Sequence, residues 1–142
     1  MWYISGTAWC ERAGVPRPRY HIAYADSEDG LNWTTGGRVA VAHAHPDEVA
    51  ISRPCVVRDA DMYRMWYSYR GDTFGYRIGF ATSLDGTAWQ RHDAEAGLTV
   101  SAEGWDSEAV AYPTVFDHNG SRYMLYCGNE YSKTGFGLAI QK

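Results

Sequence analysis

The sequence predicts an all-β chain on three grounds: short runs of aromatic and β-branched residues, frequent glycine punctuation, and segments that return in a fixed order. Of 142 residues, 45% are hydrophobic and 15% aromatic, with eleven Tyr, six Trp and fifteen Gly. Aromatic and β-branched side chains suit a pleated, half-buried surface, and glycine supplies the turns between strands. That composition belongs to a folded chain with a modest core.

Self-similarity is the strongest of the three signals. Ser27-Glu28-Asp29-Gly30-Leu31-Asn32-Trp33 returns as Ser83-Leu84-Asp85-Gly86-Thr87-Ala88-Trp89, 56 residues later. Arg53-Pro54-Cys55-Val56-Val57 returns as Tyr112-Pro113-Thr114-Val115-Phe116, 59 residues on. Tyr63-Arg64-Met65-Trp66-Tyr67 matches Tyr123-Met124-Leu125-Tyr126 and Trp2-Tyr3-Ile4-Ser5-Gly6. Tyr76-Arg77-Ile78-Gly79-Phe80-Ala81 matches Tyr20-His21-Ile22-Ala23-Tyr24-Ala25 and Phe136-Gly137-Leu138-Ala139-Ile140.

Each element reads as a strand. Proline followed by a β-branched run suits the first residue of a strand, where no ladder N–H is lost. The Tyr-Arg-Met-Trp-Tyr type carries aromatics on both faces, as a strand packed between neighbouring sheets requires. The third type alternates, with Ile78 and Phe80 on one face and Gly79 and Ala81 on the other. Asp-Gly then makes a tight turn, and the following Trp anchors a short outer strand. Four such strands form an antiparallel blade, the unit of a β-propeller. A β-sandwich with accidental similarity is the alternative. The count is ten strands, an incomplete blade over 1–40, a complete one over 41–97 and an incomplete one over 98–142. This partial β-propeller of about two and a half blades cannot close a ring of the usual four to eight blades. Completion by self-association, a dimer above all, or by a complementary half-propeller chain is therefore expected. A truncated reading frame is a further possibility, given a start at Met1 inside a strand and an end at Lys142 before an outer strand.

The net charge is −4, with 13 basic and 17 acidic residues, which gives no basic stripe for nucleic acid and is compatible with a neutral sugar. Cys10, Cys55 and Cys127 are odd in number and lack CxxC spacing, so neither a disulfide framework nor a zinc site is expected. No apolar run reaches membrane-span length, and Met1–Ser5 lacks the pattern of a signal peptide. Together these place the chain in the cytoplasm, without membrane or cofactor. His43 and His45 could face one side of a strand and hold a metal, but no third ligand has convincing spacing. The Asp-Gly pairs suggest calcium only until a hairpin turn explains them.

Ser52-Arg53-Pro54, Met65-Trp66-Tyr67-Ser68, Arg77-Ile78-Gly79-Phe80-Ala81 with Ser83-x-Asp85-Gly86-x-x-Trp89, and Gly104-Trp105-Asp106-Ser107-Glu108 resemble the five-bladed propeller superfamily of glycosidases. That group contains arabinanases, xylosidases, β-fructosidases and mannoside phosphorylases. Nearly the whole chain looks like the C-terminal half of roughly 300-residue bacterial glycosidase-like proteins. The resemblance implies a central funnel whose catalytic carboxylates stand on innermost strands. In relatives these come from the first three blades, so a match to the last two and a half implies that most are absent from this chain.

The candidates for chemistry lie just before the two Pro-led strands. Aligning Pro54 with Pro113 places Asp47 opposite Asp106 and Arg53 opposite Tyr112, with Glu48 and Glu108 one register apart. Glycoside hydrolysis needs one carboxylic acid and one carboxylate, so Glu108, Asp106 and Glu48 are the catalytic candidates. Asp47, Arg53, Tyr112 and Trp105 are candidate sugar contacts, and Arg70 and Asn129 join them from corresponding hairpin loops. In the bland reading the acids cap turns or pair with arginines, and the hairpin residues serve only the turns. Two functions follow: a carbohydrate-binding, glycoside hydrolase-like propeller fragment, or a structural protein that self-assembles as a half propeller without a sugar site.

Overall fold

The computed structural model describes residues 1–12 and 14–141; Ala13 and Lys142 lie outside it. The chain is all-β, with ten strands among the described residues. They are β1 (Trp2–Arg12), β2 (Val15–Tyr24), β3 (Val39–Val41), β4 (Glu48–Arg58), β5 (Tyr63–Gly71), β6 (Arg77–Ser83), β7 (Gln90–Arg91), β8 (Ala111–His118), β9 (Ser121–Cys127) and β10 (Phe136–Ile140).

Strands β4 to β7 pair in sequence order as an antiparallel meander, one four-stranded blade. Strands β8, β9 and β10 form a second antiparallel sheet, without an outer strand. Ahead of them, β1 and β2 form a long hairpin, and β3 pairs with β2. One parallel bridge, Tyr20 to Ala50, joins this hairpin to β4 where the chain passes between blades. The architecture is a partial propeller.

The middle blade is buried on both faces, and strand alternation explains how. Trp66, Ile78 and Phe80 point towards the third blade and pack with Val115, Met124 and Tyr126. Met65, Tyr67 and Ala81 point the other way and pack with Ile22, Val41 and Ile51. The hydrophobic core is thus two slabs, each filling a gap between neighbouring blades. The outer face of the third blade has no such neighbour: Phe136, Leu138 and Ile140 are 73%, 57% and 56% exposed. Between them Ala139 faces inward onto the first slab.

A Tyr-over-Gly pair recurs in two blades. Tyr67 lies opposite Gly79, and Tyr126 opposite Gly137, in the β5–β6 and β9–β10 registers. A Cβ on either glycine would overlap the facing tyrosine ring. Each tyrosine hydroxyl then donates to an aspartate, Tyr67 to Asp93 and Tyr126 to Asp106.

The two Ser-x-Asp-Gly-x-x-Trp turns share one hydrogen-bond pattern. Asp29 Oδ1 accepts the N–H groups of Leu31 and Asn32 at 2.8 Å, as Asp85 Oδ1 accepts those of Thr87 and Ala88 at 2.8 and 2.9 Å. These bonds hold both carboxyls far below the usual range. The indoles of Trp33 and Trp89 donate back to the carbonyls of Gly30 and Gly86.

The prolines are not strand starts. β4 begins six residues before Pro54, and β8 begins two before Pro113. Both prolines sit in bulges, where the register jumps between Ser52 and Cys55 and between Ala111 and Thr114. A bulge interrupts pairing, so the missing N–H leaves no gap in the ladder.

Replacing Gly79 with Ala forces the Tyr67 ring off its seat and brings the new methyl within 2.7 Å of Asp93 Oδ1. The expected loss is about 1–3 kcal/mol, read as a melting temperature lower by roughly 3–10 °C. Gly36→Ala, where a Cβ meets nothing within 4 Å, is the neutral control.

Candidate functional site

One end of the sheets gathers the start of β4, the β5–β6 hairpin, the start of β8 and the β9–β10 loop. Residues equivalent under the repeat meet one another here. The hydroxyls of Tyr20 and Tyr76, 56 positions apart, stand 3.2 Å from each other. The Arg53 guanidinium lies 5.1 Å over the ring of Tyr112, its repeat equivalent. Rotation-related residues touch only close to the rotation axis, so these contacts mark the propeller's centre.

The aromatic cluster is continuous. Tyr112 sits 5.6 Å from Tyr76 and stacks on Tyr131 at 6.1 Å, and Tyr76 meets Tyr131 edge-on at 5.9 Å. The Arg70 guanidinium lies 5.6 Å over Tyr76. Burial and the bond to Tyr76 push the Tyr20 hydroxyl up to about 12, and burial raises Tyr112 as well. Both stay protonated at neutral pH and are available as donors. A cleft of about 400 Å³ opens beside the cluster, lined by Arg17, Arg70, Phe74, Tyr76, Glu130 and Tyr131. A recess of about 230 Å³ lies between the two bulges, between Arg53-Pro54-Cys55 and Tyr112-Pro113-Thr114.

The backbone here is unusual. Six non-glycine residues have positive φ among the described residues, and five of them belong to this cluster: Arg53, Tyr112, Glu130, Tyr131 and Ser132, with φ between 51° and 72°. The sixth, Asn119, precedes Gly120 in the β8–β9 turn. A left-handed residue before proline is disfavoured twice, by its own Cβ and by the proline ring. Such strain collects where a protein must aim a side chain.

The acidic candidates divide sharply. Glu48 is buried and forms a bidentate ion pair with Arg91, at 2.8 and 2.9 Å, while Oε2 also accepts the Ala44 N–H. Arg91 reaches Asp93 as well, at 2.5 Å, and its guanidinium lies over Tyr67 and Tyr69. Asp106 is buried and accepts from the Tyr126 hydroxyl at 3.1 Å. Asp47 accepts from the Thr73 hydroxyl at 2.5 Å, which holds its carboxyl below the usual range. Glu108 is exposed, and its carboxylate meets no cation or hydroxyl among the described residues. Its backbone is fixed instead, with the carbonyl accepting from Arg77 at 2.8 Å and the N–H donating to Asn129 at 2.9 Å.

Asn129 brackets that loop, accepting from Glu108 and Ala109 and donating to the Gly104 carbonyl. Trp105 stacks on Tyr126 at 5.5 Å and rests on Gly128, so its ring packs within the third blade. The structure therefore brings Arg53, Arg70 and Tyr112 together at the axis and places Glu48 in an ion pair with Arg91, Asp106 under the Tyr126 hydroxyl and Trp105 against the Tyr126 ring. Tyr131, from the same hairpin loop as Asn129, joins the cluster, as do Tyr20, Tyr76 and Arg17, which were not singled out as contacts from the sequence. The 56-residue spacing of Tyr20 and Tyr76 was visible there, but it reads equally well as a strand start.

His43 Nε2 lies 3.1 Å from the Tyr20 carbonyl. Among the described residues no three His, Cys, Asp or Glu side chains gather closely enough to hold a metal ion. Among them, too, no helix is long and apolar enough to cross a membrane.

Comparison with solved structures decides the fold. A glycoside hydrolase superimposes over 99% of this chain and 40% of its own length, with a TM-score of 0.74 and 21% identity. The chain has the fold of part of that solved chain, a partial propeller. BT0996, solved as an RGII complex, matches at a TM-score of 0.70 and 21% identity over 98% of this chain and 39% of its own length. A mutant Bombyx mori GH32 β-fructofuranosidase in complex with sucrose matches at 0.64 and 14%, over 98% and 30%. No family profile matches the chain. Uncharacterized protein MT1551 of Mycobacterium tuberculosis (strain CDC 1551) is 47% identical over 140 residues, 99% of this chain and 46% of the relative. Uncharacterized protein Rv1502 of strain H37Rv is 46% identical over the same shares. The chain spans about half the length of the curated relatives it matches.

Removing Arg91 strands the buried Glu48 carboxylate. Arg91→Leu is expected to lose about 3–5 kcal/mol in denaturant unfolding. Replacing Glu48 with Leu as well should recover part of that loss, as a structural pair does.

Proposed function

We propose that this chain is the carbohydrate-binding portion of a glycoside hydrolase-like propeller, with the axial tyrosine–arginine cluster as its sugar site. The observation that carries the reading is the meeting of repeat-equivalent residues, Tyr20 with Tyr76 and Arg53 with Tyr112, beside an open cleft. Tyrosine faces suit the C–H surface of a sugar ring, and protonated hydroxyls with arginine forks suit its oxygens. The solved neighbours support it, two of them being a glycoside hydrolase and a β-fructofuranosidase that holds sucrose.

Hydrolysis needs two carboxyl groups flanking the bond. Of the four acidic candidates, Glu108 alone has no side-chain partner among the described residues, whereas Asp47 is held ionised by Thr73, Glu48 is tied to Arg91 and Asp106 accepts from Tyr126. Catalysis is accordingly assigned to the assembled protein, with Glu108 as this chain's contribution and its partner carboxylate on blades outside these residues. The uncovered apolar face of β10 favours a neighbouring blade, supplied by a second copy of the chain or by a complementary half-propeller. An assembly role without any sugar site is the competing reading, and that same apolar face favours it.

Three measurements separate them. Titration calorimetry with a panel of neutral and acidic sugars is expected to show binding that weakens about tenfold in Tyr112→Ala; no binding by any sugar overturns the site. If glycosides are cleaved, turnover should fall about a hundredfold in Glu108→Gln, and unchanged turnover removes Glu108 from the mechanism. Light scattering should report a dimer, and a monomer overturns completion by a second copy of the chain.

A further inference from the structure

Two arginines in this chain occupy almost the same surroundings, and among the described residues only one of them pairs with carboxylates. Arg91 lies over Tyr67 and Tyr69 at 5.6 and 5.4 Å, and Glu48 and Asp93 fill its guanidinium fork. Arg70 lies over Tyr76 at 5.6 Å, next to the paired hydroxyls of Tyr20 and Tyr76. Its Nε is buried without a hydrogen-bond partner, and no carboxylate among the described residues pairs with it. Arg64 and Arg122 also carry carboxylates, sharing Asp59 between them. Arg70 departs from this pattern, and it does so on the wall of the 400 Å³ cleft.

The other charges of that cleft sharpen the contrast. Arg17 stands at its mouth, with no carboxylate partner among the described residues. Glu130 faces Lys133 at 2.8 Å. Asp72 lines the edge, where its N–H donates to the Asp47 carbonyl. Arg53 stands behind Tyr112 in the adjoining recess, and no acid among the described residues pairs with it either.

We infer that the cleft takes a sugar bearing a carboxylate, a uronic acid, with the carboxylate on Arg70 and the ring against the exposed ring of Tyr131. This deepens the sugar-site reading and rests on it. An arginine fork matches a carboxylate with two parallel hydrogen bonds, and a half-buried guanidinium strengthens them. The Tyr76 ring beneath its guanidinium and the burial of its Nε restrict Arg70, so little side-chain freedom is lost on binding. Arg17 adds a second, exposed cation at the entrance, which makes association salt-dependent.

The test is calorimetric titration of the purified chain, in its native assembly, with D-galacturonate, D-galactose, acetate and sulfate. Galacturonate is expected to bind at least about tenfold more tightly than galactose, and more weakly as salt is raised. Arg70→Gln should remove about tenfold of that affinity and Arg70→Lys should restore part of it. If Arg70→Gln does not fold, Arg17→Gln should still weaken the salt dependence. Equal binding of galactose overturns the acid specificity and leaves the sugar site standing. Acetate or sulfate binding as tightly as galacturonate makes this a general anion site and overturns the inference. Full affinity in a folded Arg70→Gln variant removes Arg70 from the contact and overturns it too. Failure of every sugar overturns the sugar site itself.

Discussion

Everything in this molecule follows from sheets that must be covered on both sides. A strand such as β5 carries Trp66 on one face and Met65 with Tyr67 on the other, and all three are buried. A sheet of that kind needs two apolar neighbours, and the first and third blades provide them. Close approach between sheets then requires small residues opposite large ones, which is why Gly79 and Gly137 face tyrosines. Because the blades pack at an angle, their inner ends converge. The convergence makes the cluster of tyrosines and arginines possible without any dedicated element to build it.

Polar interactions follow the same geometry. Between the blades, Arg122 on β9 reaches Asp59 in the β4–β5 hairpin at 2.6 Å while holding Asp117 in its own blade. The thiol of Cys55 bridges the two inner strands, accepting the Val115 N–H at 3.1 Å. Tyr112 is fixed by its N–H, which donates to Ser68 on β5 at 2.7 Å. Inter-blade contacts at the axis therefore mix a few directed hydrogen bonds with ring stacking.

Much of the architecture was legible in the residues. Alternation in Ile78-Gly79-Phe80-Ala81 gave the two faces of β6, and the repeat gave ten strands in the right order. The bulges were not legible, because a left-handed arginine or tyrosine before proline runs against every local preference. Tertiary packing imposes that conformation: Arg53 and Tyr112 stack only when both inner strands are in place. In sequence Glu48 reads as a catalytic candidate and its neighbour Asp47 as a sugar contact, but Glu48 is locked to Arg91, 43 positions away, and Asp47 faces Thr73. Long-range pairing of that kind leaves no trace in spacing. Tyr131 was hidden in a loop whose backbone turns left-handed over three consecutive residues.

The positive-φ pair before the prolines has a consequence for how this protein can be hardened. Glycine at position 53 or 112 would relax the chain by about 1–3 kcal/mol of local strain. It would also delete the guanidinium or the ring that the strain serves to aim. Selection for heat resistance alone would therefore favour erasing these two side chains, whereas selection for any role of theirs at the axis would keep the chain less robust than it could be. Their persistence in any descendant sequence would report use of the axis, and their drift to glycine would report its abandonment.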